Sequence, residues 1–150
     1  MKSSKLDSFY RRQAPLYDIT RQLILFDHDK AVKMLDLQTD DIVYDIACGT
    51  GKNIPHLLKK IDADRIHAFD YSHSLLAQAR QKFSGIHLHH ADVTIPLDPK
   101  IIKPTKIICS YSLSMIDKRE NALDIMRDIL EENGTLVILD FNPKRKPIRR

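Results

Sequence analysis

The residues of this chain best suited to hold a ligand are three aspartates, each near the end of a short apolar run, and two glycines beside the first of them. The first run reads Ile42-Val43-Tyr44-Asp45-Ile46 and opens into Ala47-Cys48-Gly49-Thr50-Gly51-Lys52-Asn53. A short apolar, β-branched stretch that closes on a carboxylate and then turns small reads as a buried parallel strand followed by a tight turn into a helix. At the carboxyl end of such a strand, the N–H groups of the turn point outward beside a helix N-terminus. A ligand carrying negative charge can then rest against bare backbone, with Gly49 and Gly51 contributing no side chain in its way. The competing reading is a turn that needs glycine only for positive φ.

Two phosphate-binding chemistries can be tested directly on these residues. A dinucleotide fingerprint needs a third small residue three places after Gly51, and the chain has Ile54 followed by Pro55. A nicotinamide or flavin oxidoreductase is therefore disfavoured. A phosphate loop needs Ser or Thr after Gly-Lys and a glycine five positions before the second glycine. Here Gly51-Lys52 is followed by Asn53, and the earlier place holds Ile46, so an ATPase or GTPase reading fails twice.

The second aspartate, Asp70, ends the run Arg65-Ile66-His67-Ala68-Phe69 and stands 19 positions after Gly51. At that place in a doubly wound sheet a carboxylate can accept both hydroxyl protons of a ribose; the competing reading is a cap for the next helix, a job that Ser72 could perform instead, and the ribose role is favoured because it coincides with the glycine turn. The third, Asp92, follows Ile86 to His90 and is read either as a ligand contact or as a turn aspartate. His87 and His89 share one face of that third run. A half-exposed sheet edge accounts for them better than a metal, since no Cys or acidic ligand accompanies them at a diagnostic spacing. Cys48 and Cys109, the only cysteines, fall at predicted strand ends and read as small buried thiols.

The elements that must position these residues follow from periodicity. Residues 5–19 read as a short helix broken at Pro15, and Asp29 to Leu37 as a helix with Ala31, Val32, Met34 and Leu35 on one face, so residues 1–40 form a helical cap over the ligand end of a sheet. Residues 41–142 alternate strands and helices: helices over Asn53 to Lys60, Ser72 to Phe83 and Ile116 to Leu130, and strands at Ile42, Ile66, Ile86, Ile107 and Thr135. Three prolines mark 94–104 as loop, with one helical turn expected at Pro99 to Ile102. Such alternation predicts right-handed crossovers and an α/β, Rossmann-like, mainly parallel sheet of order 3-2-1-4-5 in a single domain.

The length of 150 residues at 43% hydrophobic and 29% charged suits one such domain. The net charge of +4 is concentrated in residues 143–150: five of the 24 basic residues stand there, leaving 19 against 20 acidic ones before it. Such a tail reads as a solvated end with at most peripheral contact to anionic lipid, and without interleaved aromatics it gives no nucleic-acid groove. No signal-peptide or membrane-spanning run is present in the sequence, which places the chain in the cytoplasm.

The pattern Asp45-x-Ala47-x-Gly49-x-Gly51, followed by Asp70, Asp92 and the turn and strand Gly134-Thr135-Leu136-Val137-Ile138, resembles the class I S-adenosylmethionine-dependent methyltransferases over residues 8–142. Tyr17-Asp18-x-Thr20-Arg21 is most similar to the branch that methylates lipid amines and quinone precursors. Ala47 stands where the first of three glycines is usual, and Pro104-Thr105-Lys106 replaces the usual aromatic-acidic pair before the fourth strand. The resemblance implies S-adenosyl-L-methionine as cofactor. It places the amino-acid end at the turn of Asp45, Ala47, Cys48, Gly49 and Gly51, the ribose at Asp70, and the adenine between Tyr71 and the edge-reading Asp92 and Val93. Tyr17 and Arg21 would close over the methionine carboxylate. Ser110, itself counted among the cofactor contacts, would lie with Tyr111 and Ser112 where the acceptor enters. The acceptor would be a small molecule or a lipid headgroup. The Asn/Asp-Pro-Pro-Tyr segment of nucleobase methylation is absent. Family members continue with two further strands, so the fifth strand is expected to have an open edge and to favour self-association. The competing function is a cofactor-binding protein that has lost methyl transfer.

Overall fold

The structure, a computed structural model, describes residues 27–140. Tyr17, Arg21, the expected helix before Pro15 and the basic tail lie outside the described residues. Among the described residues, five strands, β1 (Val43–Ile46), β2 (Ile66–Asp70), β3 (His87–His90), β4 (Lys106–Ser110) and β5 (Thr135–Leu139), form one sheet in the expected order β3-β2-β1-β4-β5. Every pairing is parallel. β1 is flanked by strands on both sides and covered on both faces, so all its side chains are buried and its sequence runs without polar alternation.

Among the described residues, four α-helices accompany the sheet: α1 (His28–Met34), α2 (Ile54–Leu57), α3 (His73–Lys82) and α4 (Arg119–Ile129). On one face, Val43, Ile66, Ile108 and Val137 meet Ala31, Val32 and Leu35 at α1 together with Leu57 of α2. Further along that face, Ala68 packs with Cys48, Ile54 and Leu76, bordered by Phe83 and Leu88. On the other face, Tyr44, Ile46, Phe69, Ile107 and Cys109 pack against Ala122 and Met126 of α4. Each Ile or Leu buried this completely contributes about 1.5–3 kcal/mol.

Three elements depart from the expected boundaries. The described part of the expected cap, α1, lies on a sheet face, because Ala31, Val32 and Leu35 are its buried residues, and only its first residue approaches the strand tips. α2 is a single turn where residues 53–60 were expected to be helical. Between β3 and β4 no helix forms: the expected helical turn is a bend in which Asp98 accepts from the backbone of Lys100 and Ile101. That loop lays Leu97 and Ile101 on the Tyr44 face, and the Tyr44 hydroxyl donates to the Ile102 carbonyl at 2.6 Å. Before α4, a 3-10 turn (Leu113–Met115) is fixed by Asp140, whose carboxylate accepts from the Ser114 backbone and hydroxyl at 2.8 and 2.9 Å. No helix among the described residues is long and apolar enough to cross a membrane.

Candidate functional site

Strand side chains alternate between faces, so Asp45, Ser110 and Asp70 all fall on the α1 and α3 side, near the carboxyl ends of β1, β4 and β2. Asp45 pairs with Ala68 and Ile108, so Asp70 and Ser110 stand two residues nearer the tips and Asp45 lies deeper. It is fully buried. Its Oδ1 accepts from Asn53 Nδ2 at 3.0 Å, whereas Oδ2 has no partner among the described residues. Burial pushes the carboxyl up to about 7 against the pull of the Asn53 bond, and the neighbouring Asp70 adds to the rise. Asp45 thus acts from beneath the glycine turn rather than on its surface.

Asp70 joins the two neighbouring strand tips. Its Oδ2 accepts from the Gly49 N–H at 2.7 Å and its Oδ1 from the Ser72 N–H at 2.9 Å. Burial raises its pKa, and the N–H groups of Ser72, Gly49 and Tyr71 oppose that rise. A carboxylate has about four acceptor positions, so these three N–H groups do not exhaust it. Helix α3 is capped by Ser72 itself, whose Oγ accepts from Leu75 N at 3.3 Å. The alternative duty of Asp70 as helix cap is therefore taken by its neighbour.

The two glycines of the turn serve different ends. At Gly49 (φ +58°) an added Cβ would meet nothing within 4 Å, so this backbone borders open space at the crevice. At Gly51 (φ +90°) it would lie 2.8 Å from both Ile54 Cδ1 and Phe83 Cε2, so the missing side chain there lets strand, turn and α3 close together. Ala47 and Tyr111, each the first residue past a central strand, both adopt left-handed backbone at φ 54° and 53°. Ser112 bridges them, its Oγ donating toward the carbonyls of Ser110 at 2.9 Å and Ala47 at 3.3 Å.

Toward β3, Tyr71 is exposed and its ring stacks with His90 at 5.9 Å, while His90 and His73 stack at 3.5 Å. Asp92 Oδ1 accepts from the backbone and hydroxyl of Thr94 at 2.9 and 2.6 Å, a closed turn that leaves its second oxygen outside that pair of bonds. Val93 sends its side chain into the core beside Tyr44 and Phe69. Cys48 is buried below the turn, its N–H donating to the Phe69 carbonyl, and burial holds its thiol well above the usual range. The structure therefore gathers Asp45, Ala47, Cys48, Gly49, Gly51, Asp70 and Ser110 around the tips of β1, β2 and β4, with Tyr71, Asp92 and Val93 toward the β3 side. No cluster of three or more His, Cys, Asp or Glu suited to a metal occurs among the described residues.

Two residues of the site carry no motif. Asn53 occupies the N-cap place of α2, yet its side chain makes no cap bond and turns inward to Asp45. His28, at the start of α1, donates from Nδ1 to Asn53 Oδ1 at 2.7 Å and meets the Tyr111 ring edge-on at 5.5 Å. An asparagine two places after the last glycine reads from sequence as a helix cap, which hides its actual contact.

Comparison with known proteins agrees with this geometry. The profile of the family described as "Methyltransferase domain" matches residues 43–134, more than half of the chain. The chain is 28% identical to the ubiquinone/menaquinone biosynthesis C-methyltransferase UbiE of Campylobacter jejuni, over 97% of its own length and 67% of that protein. It is 22% identical to the UbiE of Hydrogenovibrio crunogenus, of which it spans 62%. Among solved structures, Streptomyces venezuelae DesVI superposes with a TM-score of 0.72 at 21% identity, covering 89% of this chain and 59% of that one. The S-adenosylmethionine-bound aminopentose methyltransferase CalS10 of Micromonospora echinaspora does so at 0.73 and 20%, covering 87% and 58%. The chain thus spans about three fifths to two thirds of these relatives. With the family profile covering β1 through the turn before β5, and the sheet order and glycine turn in place, the chain belongs to the methyltransferase-domain family, with the class I S-adenosylmethionine-dependent fold.

Proposed function

We propose that this chain transfers a methyl group from S-adenosyl-L-methionine to a small-molecule acceptor, a quinone-type ring precursor being the best-supported class. The observation that carries the cofactor part is the Asp70 carboxylate clamped to the Gly49 N–H across two strand tips, with open space at the Gly49 Cα. The donor set fits the ligand. Gly49 offers bare backbone, Asp70 retains acceptor positions for ribose hydroxyls, Tyr71 offers an exposed ring to adenine, and Asp92 with the Val93 backbone lies toward the adenine edge. Tyr17 would complete the enclosure from the N-terminal segment.

When bound, the cofactor supplies a methyl on a sulfonium, already a good leaving group. What the chain must add is alignment and the exclusion of water, so no strong acid or base is required of it. The raised carboxyl of Asp45 and the bonds of Ser112 to the strand ends hold the floor of the crevice in one shape. Tyr111 and Ser112, at the exit of β4, are placed to border the acceptor.

The acceptor class rests on the likeness to quinone C-methyltransferases, supported by Ile95 and Met115, large apolar side chains left exposed in segments that follow β3 and β4. Such side chains suit an acceptor with an apolar tail, lipid-linked included, better than a free sugar. The chain would work in the cytoplasm, with at most peripheral membrane contact. The outer edge of β5, which pairs only with β4 among the described residues and exposes Ile138, would associate with a second copy.

Calorimetric titration with S-adenosylmethionine and S-adenosylhomocysteine tests the cofactor. Asp70→Ala should weaken both by more than about tenfold, near 1.4 kcal/mol. Methyl transfer assayed across quinone precursors, lipid amines and amino sugars tests the acceptor: turnover confined to amines would overturn the ring reading. Binding without turnover on any of them would select the non-catalytic binder instead.

A further inference from the structure

The Asn53 amide is shared by three separate elements. Its Nδ2 donates to Asp45 Oδ1 on β1 at 3.0 Å and lies 3.2 Å from Ser110 Oγ on β4. Its Oδ1 accepts from His28 Nδ1 on α1 at 2.7 Å and lies 3.3 Å from the same Ser110 Oγ. These contacts fill the two donor and two acceptor positions of an amide, and they fix its orientation, nitrogen toward the carboxylate and oxygen toward the imidazole. Asn53 and Ser110 are buried, and Asp45 completely so. An asparagine in an N-cap place ordinarily serves the helix backbone. Here that bond is not made, and the side chain is committed to the floor beneath the β1 and β4 tips.

We propose that Asn53, held by His28, is a positioning residue for the amino-acid end of the cofactor. It keeps Asp45 and the Gly49 turn in the shape that accepts the amino and carboxyl groups, and it leaves the nucleoside end at Asp70 to its own contacts. The proposal rests on the cofactor reading above and adds a division of labour along the ligand. The coupling to α1 makes this end of the site dependent on the segment that precedes the sheet.

The test compares two nucleosides on the full chain. S-adenosylhomocysteine carries the amino-acid end; 5′-methylthioadenosine keeps the nucleoside and the sulfur but lacks the amino and carboxyl groups. Asn53→Leu should weaken S-adenosylhomocysteine by about tenfold and 5′-methylthioadenosine by less than about twofold, the scale of a lost supporting contact. His28→Ala, which leaves the buried amide in place, should show the same selectivity at about threefold and serves where Asn53→Leu does not fold. In Asn53→Asp the new carboxyl faces Asp45, His28 and Ser110, with Asp70 beyond the turn and the thiols of Cys48 and Cys109 and the Tyr111 ring around them. Its S-adenosylhomocysteine deficit should therefore widen from pH 6 to pH 8.5 as the pair of carboxyls loses its shared proton. Equal losses for both nucleosides, or no loss for S-adenosylhomocysteine, would overturn the proposal. A wild-type protein that binds neither nucleoside would overturn the cofactor reading itself and this proposal with it.

Discussion

The two faces of the sheet each hold a group of ionisable side chains, and they do so to opposite ends. On the α1 and α3 face, Asp45 and Asp70 stand at the strand tips with their carboxyls raised by burial. On the other face, His67, His87 and His89 line β2 and β3 with Tyr44 and Phe69 beside them, and burial lowers His67 to about 4 and also lowers His89. The physical cause is the same, since desolvation favours whichever form is neutral. What differs is who satisfies the polar atoms. His67 and His89 satisfy one another, His67 Nδ1 and His89 Nε2 sharing a hydrogen bond at 3.0 Å; the ring of His67 stacks on His87 and His89 at 4.4 and 5.3 Å, and His87 closes on the Asp64 carbonyl. They fill the space above which the β3–β4 connection brings a loop and no helix. Asp70 instead meets backbone N–H groups at the strand tips, and Asp45 meets the Asn53 amide and keeps one oxygen without a partner among the described residues. A group closed on itself is core; a group that leaves capacity beside open backbone is a site.

The largest test of that contrast is Asp45→Asn. The folded-state pKa of about 7 lies above the ordinary 3.8, so the native protein holds this proton longer than the unfolded chain. Its contribution is fully present below pH 3.8 and is lost as pH rises through 7. At about 1.4 kcal/mol per pKa unit, the amide should stabilise the protein by about 2–4 kcal/mol at pH 8 and little at pH 4. Urea unfolding at the two pH values reads it. Cofactor affinity should fall in the same variant, because the Asn53 amide then faces an amide rather than a carboxylate. A variant equally stabilised at both pH values would show that Asp45 is not the group carrying the slope.

Next in size is His67→Phe, which addresses the other face and has the opposite sign. His67 is lowered from 6.5 to about 4 by burial and by the neighbouring His87 and His89, so its contribution is complete above pH 6.5 and is lost as pH falls through 4. Phenylalanine keeps a ring between Tyr44 and His87 without the proton. It should gain about 1–3 kcal/mol at pH 4.5 and change little at pH 8, where the lost His89 bond offsets the added apolar burial. The two variants together should flatten the wild-type profile from both sides; a stability curve unchanged in acid would break the assignment of the imidazole stripe as neutral core.

The parts of this arrangement that lie close in sequence were legible there. β1, β2 and β4 announce themselves as apolar runs, and the acid at the end of β1 or β2 is a local signal, so sheet order and the crevice followed from the pattern. Asn53 and His28 were not legible, because their contact joins residues 25 apart and each residue type has a commoner explanation at its place. Nor does sequence separate Gly49 from Gly51. Both match one motif, yet one borders open space and the other makes room for Ile54 and Phe83. The edge reading of His87 and His89 holds, with His87 exposed and His89 half-buried on the outermost strand; what sequence did not show is that their rings stack on the buried His67 of the neighbouring strand.

The smallest expected effect is the one that separates titration from strain. Ala47 sits at the tip of β1, two residues past Asp45, with φ 54°, and takes the place of a glycine in the usual turn. Left-handed backbone costs an alanine about 1–2 kcal/mol, part of which glycine gives back through its greater freedom when unfolded. Ala47→Gly should therefore stabilise the protein by about 0.5–1 kcal/mol at pH 5 and pH 8 alike. The denaturation midpoints should move together, without change in the pH slope, since no proton is bound or released. If the gain instead grew with pH, relief at Ala47 would be reaching Asp45 through the turn, and the two would have to be treated as one strained, titrating unit at the strand tip.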